Sequence, residues 1–228
     1  MAIPPSSAPF VPALLVIDMQ HDFVHGSLAV PGAPQIIDVV NKLLSFPFAS
    51  KIGTKDFHPS NHISFAATHR KPEFSKITIY PPGGTEGERA LEQVLWPVHC
   101  VASTPGSEFV HGFNHEALDI VVHKGTHPDI ESYSAFRDPW HLSNTELPDL
   151  LQARGVTDVF IAGLAGDYCV KCSAIDSVLF GYKTWVIQDA IRSVSDTGSE
   201  WEVMEKEGIL ELDSIQTGEM LRNYSIEK

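Results

Sequence analysis

Three cysteines in 228 residues are too few, and odd in number, for a disulfide framework, which fits a protein of a reducing compartment. Long apolar runs are missing as well. No stretch approaches the roughly 20 residues a membrane-crossing helix needs, and the opening Met1-Ala2-Ile3-Pro4-Pro5 segment lacks a positive region ahead of an apolar run. Positive charge is scarce: 16 basic against 29 acidic residues leave a formal charge of -13, with no local basic cluster to hold a phosphate backbone. Nucleic acid and membranes are therefore excluded as expected partners, and the expected address is intracellular, the cytoplasm first, with nucleus and peroxisome left open. The last residues, Tyr224 to Lys228, do not spell a Ser-Lys-Leu peroxisomal signal. Internal repeats, a GxGxxG dinucleotide fingerprint and a phosphate loop are also lacking.

Apolar runs of strand length alternate with amphipathic stretches of helix length, the pattern of a parallel α/β sheet. Strands are expected at Ala13–Asp18, Ser50–Thr54, Asp119–His123, Asp158–Ala162 and Lys183–Gln188, with a short last one at Ile209–Leu212. Helices are expected at Gln35–Leu44, Thr145–Arg154, Tyr168–Phe180 and Ser199–Glu207, the second and last closed by Gly155 and Gly208. Between Asp56 and Leu118 no hydrophobic period persists apart from a short helix at Glu88–Leu95, so residues of about 55–118 read as binding loops, with an insertion or lid near Thr85–Gly87. With 43% hydrophobic residues, the chain is expected to fold as one domain over 1–228, a three-layer α/β/α sandwich around a mainly parallel sheet of about six strands.

Cys169 stands where a strand should hand over to a helix, and a helix N-terminus favours the thiolate. Asp18 ends the first strand and Lys124 a middle one, so all three stand at strand C-terminal ends, where parallel sheets gather their chemistry. Together they make a nucleophile with its activators: Asp18 as base and then acid, Lys124 as a cation that lowers the thiol pKa. Each also has a plain reading, Cys169 as a small buried hydrophobe, Asp18 as a turn residue and Lys124 as a solvated cation. Cys169 and Cys172 further spell a CxxC, which admits a dithiol redox site. Cys172 and Cys100 are otherwise expected to be packing residues.

Asp56 and His58 are one residue apart, so in extended chain they point the same way, and with the later His99 they form a mixed oxygen and nitrogen set suited to zinc or another divalent ion. His62 is a further candidate near that ion. Phe23, Trp96 and Tyr133 lie close in sequence to these groups and could hold a flat aromatic substrate. Backbone N–H groups in Gly163–Cys169 could form an oxyanion hole.

The segments Val16-Ile17-Asp18-Met19-Gln20-His21-Asp22-Phe23, Asp56-Phe57-His58-Pro59-Ser60-Asn61-His62, Trp96-Pro97-Val98-His99-Cys100, His123-Lys124-Gly125 and Ala162 to Val170 occur in an order that resembles the nicotinamidases of the isochorismatase-like (cysteine hydrolase) superfamily. The resemblance runs from about Ala13 to Asp196. It implies a catalytic triad of Asp18, Lys124 and Cys169, and one divalent ion, zinc, on Asp56, His58 and His99. His62 would lie behind those ligands or reach the ion through water. It further implies an oxyanion hole from the Ala165 and Cys169 amides, a substrate pocket of Phe23, Trp96, Tyr133 and Leu164, and a cis peptide at Leu164–Ala165. The implied reaction is cysteine-dependent hydrolysis of nicotinamide to nicotinate and ammonia through a thioester, a step of NAD salvage, by a protein that could assemble as a homo-oligomer. Two alternatives stay open: another amide or ureido hydrolase of the same superfamily, and a CxxC thiol-redox protein. Gly166, where other members carry Thr or Ala, is a minor departure.

Overall fold

The computed structural model describes residues 9–84, 89–195 and 197–226. Its chain order is β1 (Pro12–Ile17), α1 (His21–Val24), α2 (Ile37–Leu44), β2 (Ser50–Asp56), α3 (Ala66–His69), β3 (Lys76–Ile79), β4 (Leu91–Val94), β5 (Ile120–Lys124), α4 (Leu147–Ala153), β6 (Asp158–Leu164), α5 (Lys171–Leu179), β7 (Lys183–Arg192), α6 (Ser199–Lys206), β8 (Leu210–Leu212) and α7 (Ser214–Ile226). Six strands form one sheet in the order β5-β2-β1-β6-β7-β8, and every pairing in it is parallel.

Strand β1 is buried along its whole length, as a strand with helices on both faces must be. Its side chains alternate. Leu14 and Val16 join Val40, Leu43 and Leu44 of α2 and Leu221 of α7 on one side, while Ala13, Leu15 and Ile17 join Leu147 and Leu151 of α4, Ala174 of α5 and Met204 of α6 on the other. The expected three-layer sandwich is therefore present. Gly163 shows how closely β6 approaches β1: at φ +115, a Cβ there would lie 2.1 Å from the Ile17 carbonyl oxygen. The peptide Leu164–Ala165 is cis, as the resemblance implies.

Three expectations need correction. Residues 91–94 are not helical but form β4, paired antiparallel with β3, with Ile79 opposite Leu91. Burial decides this, because the hairpin turns Gln93 and Ile79 inward, a period of two that a helix could not supply. The helix expected from Tyr168 begins as a π turn at Gly166–Val170 before α5 takes over. The C-terminal α7 was not expected at all, although Asp213 and Gln216 form a reciprocal capping box at its start. The proposed insertion at Thr85–Gly87 lies outside the described residues. Among the described residues no helix is long and apolar enough to cross a membrane.

Candidate active site

Strand order reverses between β1 and β6, and this switch point is where an open parallel sheet leaves a crevice beyond its strand ends. Asp18 follows β1, and Cys169 sits in the turn that follows β6. Asp56 and Lys124 are register partners at the ends of β2 and β5. The topology thus delivers four chemically able side chains to one place.

Their geometry is close. Lys124 Nζ lies 2.8 Å from Asp18 Oδ2, donates a hydrogen bond to Asp56 Oδ1, and stands 3.4 Å from Cys169 Sγ. An oxygen of each carboxylate and the Cys169 sulfur all fall within 4.8 Å of one another. Lys124 and Asp18 are excluded from solvent. Two neighbours that sequence reading missed hold the carboxylates still. Thr54 Oγ1 donates to Asp18 Oδ1 at 2.6 Å, and Gln20 brackets the Asp56 backbone, accepting from its N–H and donating to its carbonyl at 2.8 Å each.

Burial disfavours charge on every member, and the neighbours decide the outcome. For Lys124, Asp18 and Asp56 overcome burial and hold the ammonium well above its ordinary pKa. Burial pushes Asp18 up despite Lys124, whereas at Asp56 the Lys124 and His58 charges overcome burial and hold the carboxyl below the usual range. Cys169 corrects an expectation. Burial, with Asp18 and Asp56 behind it, pushes the thiol well above its ordinary value, and Lys124 offsets only part of this. Two carboxylates thus face one lysine around the sulfur.

On the far side of Asp56, His58 Nε2 lies 3.4 Å and His99 Nε2 3.9 Å from Asp56 Oδ2. Each ring is oriented by its other nitrogen: Nδ1–H of His58 donates to the Gly125 carbonyl and that of His99 to the Pro97 carbonyl, both at 2.8 Å. With Nδ1–H so engaged, each ring in its neutral form turns Nε2 as an acceptor toward the same carboxylate oxygen, a donor set that fits a divalent first-row ion. His62 is placed differently. Its Nδ1 meets Ser64 Oγ and its Nε2 the Ile130 carbonyl, so it touches the site only by stacking on the His58 ring, with centroids 4.0 Å apart.

A small cavity of about 30 Å³ joins the two groups, lined by Phe23, Leu28, Asp56, Trp96, His99, Tyr133, Ala165, Tyr168, Cys169 and Val194. Phe23, Trp96 and Tyr133 lie where expected. Leu164 does not: it is fully buried in the core beside β1 and takes no part in the lining. Tyr168, edge-on to Trp96 at 4.8 Å, and Val194 line the cavity without having been foreseen. Cys172 faces a different cavity, with Arg137, Pro139 and Ile175, and burial holds its thiol at about 11. This arrangement gives no support to a dithiol pair with Cys169.

Residues 12–208 match the family model described as the isochorismatase domain. The chain belongs to the isochorismatase family. Within that family it is similar to the nicotinamidase of Acinetobacter baylyi, 39% identical over 208 residues that cover 89% of this chain and 92% of the relative. Among solved structures it is similar to the yeast nicotinamidase bound to the inhibitor nicotinaldehyde, with a TM-score of 0.84 and 35% identity over 89% of this chain and 99% of that one. It is also similar to the pyrazinamidase of Pyrococcus horikoshii in complex with zinc, with a TM-score of 0.68 and 31% identity over 89% of this chain and 99% of that one.

Proposed function

We propose that this isochorismatase-family chain is a nicotinamidase, hydrolysing nicotinamide to nicotinate and ammonia with Cys169 as nucleophile. The observation that carries the reading is one cavity lined by Cys169 together with Asp56 and His99. The likeness to nicotinamidases over most of the chain supports it. Asp56, His58 and His99 would hold one divalent ion, zinc, whose chemistry when bound is to anchor the pyridine nitrogen as a Lewis acid.

The ring lies between Phe23, Trp96 and Tyr133, which orients the carboxamide carbon toward Cys169. Asp18 takes the thiol proton as the sulfur attacks, and its raised pKa makes it an effective acceptor and later donor. The Ala165 and Cys169 amides receive the developing oxyanion. Asp18 returns the proton to the nitrogen, the C–N bond breaks, and ammonia leaves behind a thioester. A water deprotonated by Asp18 then releases nicotinate and restores the thiol. Lys124 keeps Asp18 and Asp56 side by side without mutual repulsion.

Ammonia release from nicotinamide tests the reading, measured on protein as purified, after chelation, and after zinc is returned. Turnover that falls and recovers supports substrate and metal together. Inactivity with zinc bound would overturn the nicotinamide assignment in favour of other carbamoyl or ureido amides.

A further inference from the structure

Beside the substrate cavity lies a larger one of about 450 Å³, lined by Pro31, Gly32, Arg192, Ser193, Glu200 and Trp201 among others. Among the described residues, Val194 alone lines both cavities. Its backbone is pinned rather than loose. The Asp167 carboxylate accepts from the Val194 N–H, the Ser195 N–H and Ser195 Oγ, each at 2.9 Å, and Ser193 Oγ donates to Glu200 Oε1 at 2.6 Å. Asp167 belongs to the same turn as Cys169, so the wall and the nucleophile are fixed to one rigid element.

The end of the substrate that meets this wall follows from the binding mode proposed above and the packing of residues 193–195. In that mode the ring nitrogen faces the ion on Asp56, His58 and His99 and the carboxamide faces Cys169 and the Ala165 amide; Asp56, His99, Ala165 and Cys169 all line the substrate cavity. The Val194 segment packs at the carboxamide end, since Ser193 Oγ stands 2.3 Å from where a Cβ on Gly166, the residue after Ala165, would be. We infer that Val194 is a specificity-determining residue that restricts the enzyme to primary amides by closing off the space an alkyl group on the amide nitrogen would need. The inference rests on the amidase reading above. The chemistry of an N-alkyl amide would otherwise be the same: the C–N bond breaks, Asp18 protonates the nitrogen, and an alkylamine leaves in place of ammonia.

The experiment compares kcat/KM for N-methylnicotinamide and N-propylnicotinamide with that for nicotinamide, in wild type, Val194→Ala, Val194→Gly and Val194→Ile. One methylene in an apolar pocket changes selectivity roughly 10- to 200-fold, so the N-alkyl to primary ratio should rise by about that factor in Val194→Gly, less in Val194→Ala, and not at all in Val194→Ile. A merely structural role would lower all substrates together and leave the ratio fixed. Asp167→Asn, which weakens the pin, should move the ratio the same way as Val194→Ala. A normal wild-type rate on nicotinamide with an unmoved ratio in both shortened variants would overturn the inference alone. Wild-type inactivity on nicotinamide would overturn the amidase reading beneath it as well.

Discussion

Gly125 tests whether the histidine geometry exists to hold a metal. It sits at φ +62, and a Cβ there would lie 2.3 Å from His58 Cε1 and 2.6 Å from Nδ1. The His58 ring has nowhere to retreat, being buried, stacked on His62 and edge-on to both Phe65 and His99. In Gly125→Ala the left-handed backbone costs about 1–2 kcal/mol. Losing the bond from His58 Nδ1 to the Gly125 carbonyl adds about 1 kcal/mol, and crowding adds about 1–3 kcal/mol. The variant should therefore be destabilised by about 3–6 kcal/mol, and zinc affinity should fall about 10- to 100-fold because the ring loses the partner that aims it. Gly155→Ala supplies the control, since Gly155 has nearly the same φ, +63, with nothing within 4 Å of its missing Cβ. It should lose only the backbone cost, about 1–2 kcal/mol, and keep its zinc affinity. Denaturant unfolding gives the stabilities, and competition against a chromophoric chelator gives the affinities. Wild-type zinc affinity in Gly125→Ala, or an equal loss in Gly155→Ala, would refute the reasoning.

Lys124→Met should cost about 3–5 kcal/mol at neutral pH, because Asp18 and Asp56 are left buried together without their cation. In the wild type the depressed Asp56 carboxyl contributes stability that is present above its unfolded pKa of about 4 and lost as pH falls, so the gap between the two chelated proteins should narrow in acid. A gap independent of pH in denaturant titrations would count against the ion-pair account. Gly163→Ala should unfold at a markedly lower temperature, because its Cβ would meet the Ile17 backbone, which cannot swing aside as a side chain can. A melting temperature within a degree or two of wild type would contradict the close approach of β1 and β6.

The parts of this molecule legible in its sequence were those with a local signature. β1 and β6 announced themselves as strands apolar on both faces, and strand C-terminal ends pointed to Asp18, Lys124 and Cys169 as neighbours. The two-residue period placed Asp56 and His58 on one side of an extended chain. Other features depend on what distant segments do. Residues 91–94 form a strand only because residues 76–79 lie beside them. The α7 helix has a weak apolar stripe and an internal Gly218, where a Cβ would lie 2.9 Å from the Phe46 ring; its Asp213 and Gln216 box was the local sign available. What the sequence does not display is the depth of burial that, with Asp56 added to Asp18, pushes the Cys169 thiol upward against Lys124. Val194 and Tyr168 carry no chemical signature, and only the fold turns them toward the cavity.

The most direct test of the central claim is ammonia release by Cys169→Ala, with zinc content measured on the same sample. The account expects zinc stoichiometry equal to wild type and no turnover of nicotinamide above background. Turnover retained in a folded, zinc-replete variant would contradict Cys169 as the nucleophile and the thioester route with it.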